Sequence, residues 1–122
     1  MKTIDTPTVR ISVLDEQVVL VEARHGVNID AAESRRDSEA MSAAMPGDYG
    51  MIIDRKEDYS IVPAHVYAVL NSNPRLKAIA IVVHREMTMV TAPGERPFFR
   101  GAFKVFLRVE DAQAWIKSVL QS

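Results

Sequence analysis

Two residues have the types and positions that acid–base chemistry uses. Asp54 closes the apolar run Met51-Ile52-Ile53, and His84 closes the longer run that ends at Val83. If both runs are parallel strands, the two side chains emerge at one carboxyl-end rim, where ligands of open α/β sheets gather. A carboxylate beside an imidazole orients the ring and favours its charged form, the starting arrangement for general acid–base catalysis. A lone pair of this kind still needs a nucleophile or a substrate-positioning motif. The chain contains no G-x-G-x-x-G, no G-x-x-x-x-G-K-[ST] and no G-x-S-x-G. The expectation is therefore a non-enzymatic chain without catalytic residues, with His84 and Asp54 as the enzymatic alternative.

Metal and thiol chemistry have even less to work with. His25, His65 and His84 fall at no metal-ligand spacing, and the chain lacks cysteine altogether. No metal and no cofactor is expected.

Four further segments, overlapping in pairs, are candidates for binding. Asp58-Tyr59-Ser60 precedes an amphipathic stretch, so Ser60 reads as a helix N-cap. The same placement makes it a possible phosphorylation site, because a phosphate there would meet aligned backbone N–H groups. In Arg96-Pro97-Phe98-Phe99-Arg100, two arginines flank two aromatic rings, residue types that anchor interfaces; the alternative is that the rings close the core. Met87, Met89 and Val90 lie just before it, so the 87–99 segment can also be read as a cover over an apolar cavity. The mixed-sign run Arg55-Lys56-Glu57-Asp58 reads as a soluble loop or a docking loop.

These residues must be positioned by regular elements, and the hydrophobic pattern supplies them. Val9, Ile11 and Val13 alternate, and Val18 to Val21 follow after Asp15-Glu16-Gln17, which predicts an opening hairpin. Asp30 with Glu33 begins a helix over Ala31 to Met45, closed by Pro46-Gly47. Its thin apolar face is Ala32, Ala40, Met41, Ala44 and Met45, with Arg35, Arg36, Asp37 and Glu39 outward. Tyr49 to Asp54 and Leu76 to Val83 are apolar on both faces, as buried central strands are. Between them a helix from Ser60 to Asn71 buries Val62, Val66, Val69 and Leu70, with Pro63 in its first turn. Pro93-Gly94 and Pro97 make 84–101 a broken helix or an irregular loop. A last strand, Ala102 to Leu107, precedes a helix whose apolar stripe is Ala112, Trp115, Ile116, Val119 and Leu120.

Size and charge narrow the setting. At 122 residues the chain has room for one domain, with residues 1–7 as a flexible lead-in. Lysine plus arginine number 15 against 16 aspartate plus glutamate, a balance that argues against nucleic acid as partner. No run approaches the roughly twenty apolar residues of a membrane span, and the first eight residues lack a secretory apolar stretch. The expected location is cytoplasmic.

The order of these parts resembles the small STAS-like domains, particularly the stand-alone bacterial SpoIIAA-like proteins. The likeness runs from Val9 to Leu120. It is carried by the hairpin, the strand Met51-Ile52-Ile53-Asp54, the helix after Tyr59-Ser60, the strand Ala78 to Val83, and a Phe-rich strand before Glu110-Asp111-Ala112. It implies a mixed sheet of four to five strands with helices mainly on one face. It also implies a regulatory, protein-interaction or ligand-sensing module, and the 87–99 segment adds the alternative of a sensor or carrier of a small apolar, lipid-like ligand held beneath it. Ser60 falls on the switch serine of the anti-sigma-factor antagonists, whereas Tyr59 and Ile61 replace the serine and glycine of their motif. The partner expected from these readings is a protein or a second copy of the chain.

Overall fold

A computed structural model describes residues 2–84 and 92–121. Among them, six strands form one sheet in the order β1 (Lys2–Asp5), β2 (Val9–Asp15), β3 (Val18–Ala23), β5 (Tyr49–Arg55), β7 (Leu76–Val83) and β8 (Ala102–Phe106). Two residues each from β4 (Asn28–Ile29) and β6 (Ser60–Ile61) form a separate parallel pair. The helices are α1 (Ala31–Ala44), α2 (Pro63–Asn71) and α3 (Val109–Gln121), and Ala92–Phe98 is a 3-10 turn.

The expected hairpin is β2 paired antiparallel with β3, while β3, β5, β7 and β8 run parallel. Moving from β3 to β5 to β7 always steps the same way across the sheet. Crossovers of one hand therefore place α1 and α2 on one face. Helix α3 connects no strands and covers the opposite face, so the helices divide two against one.

Each central strand buries both faces. Ile79, Ile81 and Val83 join Met41, Tyr67 and Leu70 in the core under α1 and α2. Ala78, Ala80 and Val82 join Ile52, Ala112 and Ile116 in the core under α3. A fully buried side chain such as Ile79 or Ile81 contributes about 1.5–3 kcal/mol through removal from water.

Helix ends are closed from outside the helices. Asp30 accepts from the Glu33 backbone N–H at 2.8 Å, the expected cap of α1. Neither α1 nor α2 has a basic residue in its last turn. Arg75 donates to the carbonyls of Ser42, Met45 and Gly47, and Arg100 to those of Asn71 and Asn73. Carbonyls left without a helical partner are thus paired with guanidinium groups.

The structure departs from expectation in four places. The sheet has six strands rather than four to five, and within the segment read as flexible Lys2–Asp5 pair with Arg10–Val13. Helix α2 starts at Pro63, not at Ser60. The residue before a proline is driven out of the helical region, and Val62 is extended at φ −103°, ψ 106°. Val62 is exposed as a result, and Tyr67 is buried in α2 instead. In α1, Ala32 is exposed, whereas Asp37 is buried because it accepts from the Thr8 hydroxyl at 2.6 Å. Met87, Met89 and Val90 lie outside the described residues. No helix among the described residues is long and apolar enough to cross a membrane.

Candidate functional site

A strand turns successive side chains to opposite faces, and this parity sorts the charged end of β5. Met51, Ile53 and Arg55 face α1 and α2; Ile52 and Asp54 face the other way. Arg55, expected in a solvated loop, therefore enters the apolar layer.

That layer contains a cavity of about 70 Å3 between the sheet, α1 and α2. Its walls are mainly apolar and include Val9, Val21, Met41, Met51 and Ile53. Arg55 and Glu95 close one end as a bidentate ion pair, Nη2 to Oε1 at 2.6 Å and Nη1 to Oε2 at 2.5 Å, with each side chain only 13% exposed. The Tyr67 hydroxyl donates to the same Glu95 oxygen at 2.9 Å, and Arg55 Nε donates to the Tyr59 hydroxyl at 3.1 Å.

Burial would lower the pKa of the Arg55 guanidinium, but hydrogen bonding and charge attraction from Glu95 outweigh it and hold the group above its ordinary value. Burial raises the Tyr67 phenol, and the Glu95 charge and hydrogen bond raise it further. Burial also raises Tyr59, against the opposing effect of Arg55, and it raises Tyr49. The chain has three tyrosines, and all of them resist ionisation in the fold.

A raised folded pKa means that the stabilisation is complete below the ordinary phenol value of 10.0 and is lost as pH rises past it. Phenolate absorbance is expected to appear above pH 10 in one cooperative step together with loss of circular dichroism. Independent ionisation near pH 10 in a still-folded chain would contradict this placement.

On the opposite face, Asp54 and His84 do meet at the carboxyl-end rim, with His84 Nε2 2.5 Å from Asp54 Oδ1. Asp54 is buried and His84 is part exposed, so the carboxylate fixes the ring while the ring stays open to water. Lys56 bridges Asp54 at 3.6 Å and Glu22 at 3.2 Å, and Glu22 keeps the Lys56 ammonium above its usual pKa. The arrangement can orient an imidazole.

The other candidates are tied to different partners. Ser60 lies in β6, where its hydroxyl donates to Asn28 Oδ1 at 3.2 Å, so it does not cap α2. The Asp58 carbonyl accepts from the N–H of Gly26, which holds a φ of 76° that suits glycine. Phe99 is buried beside Tyr67, while Phe98 stacks on Tyr67 at 6.3 Å and remains 41% exposed. Arg100 caps α2, and Arg96 is exposed. Of the binding residues expected from the sequence, only Tyr59 joins the cavity cluster. Tyr67 and Glu95 were not singled out from the sequence, and Arg55 was named only as part of a charged loop. The parity of β5 was the available signal for Arg55, since it continues the Met51, Ile53 series.

No protein-family model matches the chain, and no curated protein matches it in sequence. A solved structure does match: an uncharacterised protein of the DUF3478 family from Shewanella loihica PV-4, described as having a SpoIIAA-like fold. The two superpose with a TM-score of 0.60 at 17% identity, over 88% of this chain and 91% of that one. Identity that low carries the backbone architecture and nothing of the side-chain chemistry. Together with the hairpin, the parallel strands and the helices on both faces, it establishes that this chain has a SpoIIAA-like fold.

Proposed function

We propose that the chain is a non-enzymatic sensor or carrier module that holds a small, mainly apolar ligand in the cavity between the sheet and α1–α2. The observation that carries this reading is the apolar space that the described residues leave unfilled. Protein cores are close-packed, and voids larger than a water molecule are few. Here the void is lined by apolar side chains and ends at a cluster of hydrogen-bonding groups, the combination that small-molecule sites use.

The size limits the ligand. A cavity of about 150 Å3 admits benzene, and this one is about 70 Å3. A fatty acyl chain is therefore too large for the space as it stands. The competing reading, a protein-docking surface at Arg96 to Arg100, is weakened because Phe99 is in the core and Arg100 is spent on α2.

Xenon, which enters apolar cavities, is the test. Under xenon pressure the methyl resonances of Val9, Val21 and Ile53 are expected to shift with saturation, while those of Val18 and Ile116 in the opposite core stay in place. Ala23→Leu, which adds carbons at the cavity wall, should abolish the response. A wild-type spectrum that xenon leaves unmoved removes the reading.

A further inference from the structure

The charged end of the cavity is built in two unequal parts. The donors Arg55 and Tyr67 come from β5 and α2, elements packed into the body of the fold. The acceptor comes from the 3-10 turn, in which Pro93, Gly94, Arg96, Pro97 and Phe98 are all exposed and Glu95 turns inward. An otherwise exposed turn thus sends one carboxylate into a cradle of three hydrogen bonds made by the scaffold. Glu95 satisfies that cradle, yet it does not reach into the apolar space beside it, which the described residues leave unfilled.

We propose that Glu95 is a stand-in for a ligand carboxylate, and that the cavity takes a short-chain aliphatic monocarboxylate which displaces Glu95 from Arg55 and Tyr67. The proposal rests on the cavity reading above and names the ligand class for it. A bound carboxylate accepts the same bidentate pair from Arg55 and the same hydroxyl from Tyr67, the geometry in which arginine recognises carboxylates. Its alkyl tail then occupies the volume that Glu95 does not reach. That extra burial is the differential interaction a ligand needs to win against the internal carboxylate. Each methylene placed in the cavity is worth about fourfold in affinity. The gain ends when about 70 Å3 is filled, which restricts the tail to a few carbons. Intramolecular competition lowers the apparent affinity by the fraction of time the cradle is free.

The experiment is calorimetric titration of the full chain and of Glu95→Ala with acetate, propanoate, butanoate and pentanoate. Affinity is expected to rise along the series until the cavity is full, and to be at least about tenfold higher in Glu95→Ala than in the wild type. Butanamide and sulfate should show no comparable gain, and Arg55→Met in the Glu95→Ala background should erase it. Should Glu95→Ala fold poorly, Glu95→Gln keeps the turn closed by a neutral group and should show a smaller gain in the same order, with butanoate raising its Tm. Equal gains for sulfate overturn the carboxylate class in favour of a general anion site. No gain for any carboxylate in either variant overturns the stand-in role. If xenon still enters, that failure belongs to this proposal alone; if xenon is also excluded, the cavity reading falls with it.

Discussion

Arg55→Met is expected to destabilise the chain by about 3–5 kcal/mol, the cost of removing one partner from a buried ion pair. The substitution keeps an apolar stem in the cavity wall but strands the Glu95 carboxylate, which is 13% exposed and faces an apolar lining. The loss is dominated by that uncompensated charge rather than by missing attraction. Replacing both partners, Arg55→Met with Glu95→Leu, should therefore return most of the stability, because two well-packed apolar side chains need no charge compensation. Urea unfolding of the two single variants and the double variant measures this directly. A cost below about 1 kcal/mol for Arg55→Met would place the pair with exposed ones, such as Arg10–Asp5, whose side chains are 55% and 50% exposed.

Ile116→Ala should cost a further large amount, about 2–5 kcal/mol, because Ile116 is completely buried where α3 crosses β5. The closeness of that crossing is visible at Gly50. A Cβ there would lie 2.3 Å from Ile116 Cγ2 and 3.0 Å from Cγ1. Both are branch atoms next to the Ile116 Cβ and cannot swing aside. Gly50→Ala alone is thus expected to cost about 1–3 kcal/mol through overpacking. Combined with Ile116→Ala, the added methyl enters space that the isoleucine has vacated, so the two costs should not add. A double-mutant cycle is expected to show favourable coupling in the range of about 0.5–3 kcal/mol. Simple additivity would mean that α3 rides away from the sheet instead of transmitting the clash.

How much of this was legible follows from the range over which each signal acts. The strands β2, β3, β5 and β7 and the helix α3 announce themselves through period-2 alternation, doubly buried runs or an i, i+3, i+4 stripe, all local patterns. The strand β1 offers only Ile4 as an apolar residue, and β4 and β6 are two residues long, so none carries a period. The start of α2 was misplaced because Ser60 makes a good cap in isolation, while Pro63 forbids helical geometry at Val62. Asp37 looked solvated because its partner, Thr8, is 29 positions away.

The cavity cluster illustrates the same limit. Asp54 and His84 were found because each ends a strand, and the rim of a parallel sheet brings strand ends together. Arg55 was hidden in the run Arg55-Lys56-Glu57-Asp58, whose composition signals solvent even though its first residue still belongs to β5. Glu95 pairs with it across 40 positions from a turn without periodicity. Only the folded topology places them side by side.

The edge strand β1 has a consequence for how the sheet guards its open side. It pairs with β2 along four residues, yet Ile4 is its one side chain packed on a core cluster. The connection to β2 is a short turn in which the Thr6 hydroxyl accepts from the N–H groups of Thr8 and Val9. Releasing β1 therefore uncovers the backbone groups of β2 while withdrawing Ile4 from the core. Exposed strand edges template further pairing, and the SpoIIAA-like sheet covers this one, farthest from β8, with a strand of only four residues.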